Sequence, residues 1–443
     1  MDTKIKKEKE IDLNKVYQMP ERIEFIHHKG KIIVIAIETG NWIVLENEEQ
    51  LVFLNLLQEK SIKDALATFN GNFAEAQYVV MQLEAKDFEN TKTFLKNQKI
   101  GIHIYLTNSC NMRCPHCYMY AGIAKDNELT TKEVCDLLSN FKRYNGSIVI
   151  FSGGEICTRS DLFEIVKHTH SLGLSSELLT NGTLWSEKQI KEIAPYISRV
   201  QVSIDGYTES VNARVRGKGS FAKALDTIDR FIQSGVHVDV GITPWFDDAL
   251  KKDYLKYAEF GKELLEKYKD YPFTIKFNDE LLEGRELKLT LEQQEEYKDI
   301  ISRINRECYG DITDIAFIEF HKMKGIENNC EFGNISVNSD GDLFFCAAIP
   351  TTIPFANLRK DSFERIMQLS DLAKQISDVN NLVPCKDCEL KYICGGDCRV
   401  IYFKDLVDCD VEKLTKSPTR KCNKEMKEQF YDLMIRTNHK LFT

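Results

Sequence analysis

The chain has 443 residues, and its 59 Lys and Arg against 68 Asp and Glu give a net charge of −9. This acidic balance disfavours binding to the phosphates of nucleic acid. A hydrophobic content of 43% suits a globular protein, and the length predicts two or three domains. Because we find no apolar run of membrane-spanning length and no secretory signal, we expect a cytoplasmic protein without a membrane partner.

Residues 1–98 are predicted to form a small α+β domain. Ile- and Val-rich stretches between turn sequences predict three short strands within 22–46. Apolar residues at helical spacing then predict three helices, over 47–58, 62–69 and 73–86. This order is winged-helix-like and resembles the leader-peptide recognition domain of enzymes that modify ribosomal peptides. An unrelated small α+β domain is the alternative.

Residues 99–305 alternate predicted strands with predicted helices. This alternation indicates a parallel sheet covered by helices, either an open sheet or a partial barrel, with ligands at the C-terminal strand ends. The predicted strands lie at 102–107, 147–152, 174–180, 199–205, 236–242 and 273–277. The third region, 306–443, is rich in cysteines and loops, and we expect metal to stabilise it.

The 14 cysteines predict metal binding rather than disulfides, because most are clustered and cytosolic thiols stay reduced. Cys110, Cys114 and Cys117 follow the first barrel strand with the spacing C-x3-C-x2-C. Three thiolates hold three irons of a cubane and leave the fourth iron open, whereas structural zinc takes four protein ligands. The spacing and its position resemble the signature of the radical S-adenosylmethionine (SAM) superfamily.

This resemblance implies a partial (β/α)6 TIM barrel that binds SAM and a [4Fe–4S] cluster. In that superfamily, the open iron binds SAM, whose reductive cleavage yields a 5′-deoxyadenosyl radical. The Gly-Gly-Glu turn is expected to contact the methionyl amino group, Ser203 the ribose and Arg216 the carboxylate, whereas Arg214 is predicted to be a surface residue. The predicted SAM-binding set is Tyr118, Gly153, Gly154, Glu155, Asn181, Ser203 and Arg216.

The remaining clustered cysteines resemble the seven-cysteine SPASM domain, which implies two auxiliary [4Fe–4S] clusters and three clusters in all. Auxiliary cluster II would use Cys385, Cys388, Cys394 and Cys422. Auxiliary cluster I would use Cys330, Cys346 and Cys398, which leaves it one ligand short. Either Cys308 completes it or one iron stays open for a substrate thiolate, and we favour the open iron. Cys135 is predicted to be a core residue and Cys157 to pack; Cys409 is a weaker alternative to Cys422.

From about 100 to 430 the sequence resembles peptide maturases of the subtilosin A type, which are sactipeptide and ranthipeptide thioether synthases. Segments 153–156, 181–184 and 216–221 carry this resemblance. It implies a precursor peptide with a leader, an electron donor such as flavodoxin or ferredoxin, and thioether cross-links between cysteine sulfur and carbon. Carbon–carbon cross-linking, epimerisation and sulfatase-type maturation are the alternative reactions. A non-catalytic metal-binding scaffold or a nucleic-acid binder is the alternative from another class.

Overall fold

The N-terminal region folds as the sequence predicts. A computed structural model of the chain describes residues 11–89, 100–310, 332–347, 354–396, 398–399 and 422–442. An antiparallel sheet in the order β1-β2-β3 precedes three helices. These elements are β1 (Ile23–His28), β2 (Lys31–Ala36), β3 (Asn41–Leu45), α1 (Glu48–Leu57), α2 (Ile62–Thr68) and α3 (Phe73–Ala85). Side chains of Asn47, Ser61 and Asn72 cap the three helices at their N-termini.

The central region is an open barrel of six consecutive parallel strands, which confirms the predicted (β/α)6 architecture. Alternating Val, Ile and Leu side chains of these strands fill the main hydrophobic core. The strands are β4 (Ile100–Thr107), β5 (Gly146–Gly153), β6 (Ser175–Thr180), β7 (Arg199–Ile204), β8 (His237–Ile242) and β9 (Phe273–Phe277). The helices are α4 (Thr131–Arg143), α5 (Leu162–Ser171), α6 (Glu187–Ile193), α7 (Glu209–Arg216), α8 (Ser220–Gln233), α9 (Asp248–Lys267) and α10 (Leu291–Tyr309).

The C-terminal region extends the barrel sheet, which the sequence did not predict. Strand β10 (Ile335–Val337) pairs in parallel with β4, and β11 (Asp342–Phe344) and β12 (Ala356–Asn357) follow antiparallel. The result is one nine-stranded sheet. Because β4 is the first strand of an open barrel, its outer edge would otherwise present unpaired backbone groups. Three further helices are α11 (Phe363–Ser377), α12 (Lys391–Cys394) and α13 (Lys424–Phe442).

The N-terminal sheet is buried on both faces. One face packs on α1–α3, whereas the other packs on the C-terminal region through Ile33, Ile35 and Trp42. Their partners include Met434 on α13, which is fully buried. The N-terminal and C-terminal regions therefore share a hydrophobic core, although they stand at opposite ends of the chain. None of the described helices has the length and apolar character needed to cross a bilayer.

Candidate active site

The first three cysteines lie on one loop at the C-terminal end of β4. Cys110 N–H donates to Gly122 O at 3.0 Å, and Gly122 N–H donates to Asn108 O at 2.8 Å, so the loop is tied at its base. The thiols are partly buried and influence one another electrostatically. Burial raises the pKa of Cys110, and it raises the pKa of Cys114 to about 11. Since ligating thiols must be deprotonated, binding of iron has to supply the charge that stabilises them.

The predicted Gly-Gly turn ends β5 and lies directly against the cysteine loop. Gly154 N–H donates to Thr107 O and Glu155 N–H donates to Ser109 O, both at 2.8 Å. A Cβ at Gly154 would lie 2.2 Å from Ser109 O, closer than any real contact allows. Gly153 has φ +141°, and a Cβ there would lie 2.4 Å from Thr107 O. The glycines are therefore required for close packing of two loops, and this packing brings the turn to the cysteine loop.

The carboxylate of Glu155 braces the neighbouring strand end. It accepts hydrogen bonds from Thr180 Oγ1 at 2.6 Å and from the backbone N–H of Asn181 at 2.7 Å. Asn181 in turn donates to the Asn111 side chain in the cysteine loop at 2.9 Å. Burial raises the pKa of Glu155. Both of its carboxylate oxygens and both of its backbone polar groups have partners inside the protein, so Glu155 stabilises the turn itself.

A buried charge cluster lies beneath the cysteine loop, and only one of its members was predicted. Asp205, directly after β7, is fully buried and pairs with Arg216 through Nε–Oδ2 at 2.6 Å and Nη2–Oδ1 at 3.1 Å. His116 Nε2 lies 3.4 Å from the same carboxylate. Burial lowers the pKa of His116; the Asp205 carboxylate opposes this shift and the Arg216 guanidinium adds to it. The guanidinium also lies close enough to Cys110 and Cys114 to influence both thiols.

The segment after β9 clamps the cysteine loop and was also missed. Arg285 donates to Cys114 O at 3.0 Å and to Ala121 O at 2.5 Å. Glu286 N–H donates to Pro115 O at 2.7 Å. This segment thereby links the last barrel strand to the first loop. A lone arginine in a loop gave no sequence signal, since its role depends on two carbonyls more than 160 positions away.

The other predicted SAM residues occupy two environments. Ser203 is half-buried near the C-terminal end of β7, two residues before Asp205. The Tyr118 hydroxyl lies 3.1 Å from the Tyr105 hydroxyl, away from the charge cluster. Arg214 pairs with Asp247 and is about half exposed, which agrees with the surface position expected for it. The predicted SAM contacts stay predictions, and the geometry brings most of their residues to the ends of β4–β7.

The four cysteines predicted for auxiliary cluster II line one cavity. Cys385, Cys388, Cys394 and Cys422 surround about 320 Å³, together with residues of α13. Leu390 N–H donates to Cys388 Sγ at 3.4 Å, and such donors stabilise a ligating thiolate. Within the described ranges no three His, Cys, Asp or Glu side chains are arranged to hold a metal ion. A cavity ringed by four cysteines suits a multi-iron cluster, whose ligands are more widely spaced.

The cysteines of auxiliary cluster I are only partly described. Cys346 and Cys398 are half-buried, whereas Cys330 and Cys409 lie outside the described residues. Cys308 is buried at the end of α10, where its sulfur lies against Gly261 of α9, and burial raises its pKa to about 11.

Two other isolated cysteines differ in their surroundings, and Cys157 N–H donates to the Glu155 carboxylate at 3.2 Å. Cys157 packs against the main core, as expected. Cys135 was predicted to be a core residue, which was wrong: it lies on α4 but remains half-buried, since Val134 and Leu138 take the core-facing positions.

Comparison with known families agrees with this geometry. Residues 104–260 match the radical SAM superfamily, and residues 329–389 match SPASM, an iron–sulfur cluster-binding domain. The chain is therefore a radical SAM protein with a SPASM domain, and these domains indicate SAM and [4Fe–4S] clusters as cofactors.

Among characterised relatives, the mycofactocin maturase MftC of Mycolicibacterium smegmatis is 26% identical over 321 residues, covering 67% of this chain and 77% of its own. The Fe-coproporphyrin III synthase of Methanosarcina barkeri is 28% identical over 351 residues, covering 69% and 85%. A solved structure of native anSMEcpe with bound AdoMet and Cp18Cys peptide aligns with a TM-score of 0.52. That alignment covers 77% of this chain and 99% of the other at 17% identity, and it supports the fold alone.

Proposed function

We propose that the protein is a radical SAM maturase that forms thioether cross-links in a ribosomally made precursor peptide. When bound, the reduced cluster of the cysteine loop supplies the electron that cleaves SAM to a carbon-centred radical. The loop, the Gly-Gly turn and Arg216 hold and orient the cofactor. The relatedness to a maturase supports a peptide substrate, and two auxiliary clusters complete the proposed cofactor set.

The position of Cys308 is the observation that favours thioether formation over the alternatives. Its sulfur is packed against Gly261 between α9 and α10, and it is therefore a poor fourth ligand for auxiliary cluster I. Cys330, Cys346 and Cys398 would then hold three irons and leave one open. An open iron accepts a thiolate, which would hold the substrate cysteine beside the barrel.

We further propose that the peptide's leader adds as a strand to β1. On the opposite edge of the sheet, at β3, the Gln82 side chain accepts a hydrogen bond from Val44 N–H at 3.0 Å and donates one to Val44 O at 2.7 Å. The register of β1 with β2 directs the backbone groups of Ile23, Phe25 and His27 outward. In the described part of the chain these groups have no strand partner. An extended peptide gains its backbone hydrogen bonds at an edge of this kind.

A proline substitution at one position of β1 tests the leader site. In His27→Pro the outward N–H is lost, whereas pairing with β2 is kept because that N–H faces away from it. We expect about tenfold weaker leader binding than in His27→Ala, measured by fluorescence anisotropy with a labelled leader. Gln82→Ala, which opens the β3 edge, should leave affinity unchanged. Equal affinities for His27→Pro and His27→Ala would show that the leader does not use β1.

Tandem mass spectrometry tests the reaction itself. The chain is co-expressed under low oxygen with the cysteine-containing peptide encoded beside it. Loss of two hydrogens per modified cysteine, with those cysteines blocked to alkylation, is the expected result. Hydrogen loss with free cysteines would instead mean a carbon–carbon link, and unchanged mass with solvent deuterium at an α-carbon would mean epimerisation.

Two further comparisons complete the test. Cys114→Ala should abolish the modification, whereas Cys135→Ala, a half-buried thiol on α4, should leave it intact. The resemblance to the Fe-coproporphyrin III synthase makes tetrapyrrole chemistry the second candidate. An unmodified peptide together with formation of Fe-coproporphyrin III from an added tetrapyrrole precursor would replace the peptide assignment with that one.

A further inference from the structure

A chain of hydrogen bonds joins the two regions that carry cluster cysteines. Tyr105 on β4 donates its hydroxyl proton to Ala347 O at 2.5 Å. Its oxygen lies 3.1 Å from the Tyr118 hydroxyl. Because Tyr105 has a single hydroxyl proton, which Ala347 receives, Tyr118 must be the donor in the second bond. The chain therefore runs in one direction, from Tyr118 through Tyr105 to Ala347.

Both ends of this chain lie next to predicted metal ligands. Tyr118 directly follows Cys117, and Ala347 directly follows Cys346. The Cys346 thiol lies near enough to interact electrostatically with both tyrosines, and the Cys117 thiol does so with Tyr118. Two phenol side chains and one backbone carbonyl thus connect the cysteine loop after β4 to the C-terminal segment that carries Cys346.

The central member of the chain, Tyr105, is shielded from water. Tyr105 is 1% exposed, packs with Phe344 and Met119, and stacks on His103 at a centroid distance of 4.5 Å. Hydrogen bonds shielded from water are strengthened by the low local dielectric. Strand β10 pairs with β4 directly before Tyr105, so the backbone is held beside the hydroxyl chain as well.

We propose that Tyr105 and Tyr118 are positioning residues that fix the Cys346 segment relative to the catalytic cysteine loop. Backbone pairing holds the chain as far as Phe345, since β11 pairs with β10 through Phe344 and Gly333 N–H donates to Phe345 O at 2.9 Å. The hydrogen bond from Tyr105 to Ala347 O adds a constraint on the other side of Cys346. The inference rests on the proposed function only in assigning Cys346 to an auxiliary cluster.

Hydrogen exchange and electron paramagnetic resonance on the anaerobically reconstituted full chain test this proposal. In Tyr105→Phe both bonds are lost, and backbone exchange in 345–347, which follows β11, should rise about tenfold. Tyr118→Phe should give a smaller rise, and the double variant should not exceed Tyr105→Phe, because the bonds form one unit. The electron paramagnetic resonance lines that report magnetic coupling between the reduced clusters should broaden in the same order.

Tyr309→Phe is the matched control, since its hydroxyl also donates to a backbone carbonyl, that of Ile275. Tyr309 lies next to Cys308, which is packed against Gly261, rather than next to Cys117 or Cys346. This variant should change neither exchange in 345–347 nor cluster coupling. The proposal is overturned if Tyr105→Phe and Tyr118→Phe behave like Tyr309→Phe in both measurements. Neither measurement requires a peptide, so failure of the peptide assignment would appear separately, as an unmodified substrate with normal coupling.

Discussion

Helix α7 carries two arginines that each pair with an aspartate outside the helix, and comparing these two pairs tests the charge cluster. Arg214 and Arg216 both lie on α7, but Asp247 and Arg214 are partly exposed whereas Asp205 is fully buried. Removing one partner of a buried pair costs about 3–5 kcal/mol, because it leaves an uncompensated charge. Removing a partner from an exposed pair costs below about 1 kcal/mol. Asp205→Ala should therefore be far more harmful than Asp247→Asn, which removes the charge of the exposed pair but keeps a side chain able to cap α9 through Leu250 N–H.

Thermal unfolding of the anaerobic protein measures the difference. For a domain of this size, about 1 kcal/mol corresponds to a shift of about 2–4 °C, so we expect Asp205→Ala to lower the midpoint by about 6–20 °C. Asp247→Asn, which keeps a capping side chain at this position, should lower it by less than about 4 °C. Added SAM should recover more of the loss in Asp205→Ala, because its carboxylate can balance the charge of Arg216. Equal midpoints for the two variants would refute the view that Arg216 depends on Asp205.

Three further outcomes follow from the site and its supports. Gly154→Ala should lower iron content after reconstitution, because its Cβ would collide with the cysteine loop, whereas Gly101→Ala, with open space around it, should keep the iron. Arg285→Ala should lose iron on dilution with chelator several times faster than Lys288→Ala, since the Arg285 side chain donates to Cys114 O and Ala121 O whereas Lys288 pairs with Glu283. Burial lowers the pKa of His103 to about 4, so between pH 6.5 and pH 4 the unfolded chain binds the proton first and the free energy of unfolding should fall as the pH drops. His103→Phe should weaken this pH dependence, measured by urea unfolding of the metal-free chain.

Local pattern determined much of the fold. All six barrel strands were located to within two residues, because each is a short apolar run bounded by turns and joined by amphipathic helices. The N-terminal strands and helices were predicted for the same reason. The extension of the sheet by β10–β12 was not predicted, because two- and three-residue strands carry no periodic signal and pair only through a distant edge.

The candidate site divides in the same way. Residues recognised from the sequence belong to compact motifs, such as the cysteine loop and the Gly-Gly turn, whose chemistry depends on spacing along the chain. Asp205 lies two residues after the predicted Ser203, but its importance appears only where Arg216 and His116 converge on its carboxylate. The sequence likewise predicted Cys308 as a possible ligand, whereas its packing against Gly261 argues against that role.

The sequence by itself determined the class of protein, because cluster-binding thiols must be closely spaced and glycines must stand where backbones touch. Only the tertiary structure decided how the parts are joined. Gln82 bonds to the edge strand β3, Tyr105 and Tyr118 connect the two cysteine regions, and Arg285 holds the cysteine loop. Each of these contacts joins residues distant in sequence or uses side chains common in any protein. Their roles arise from position in space, which local sequence patterns do not encode.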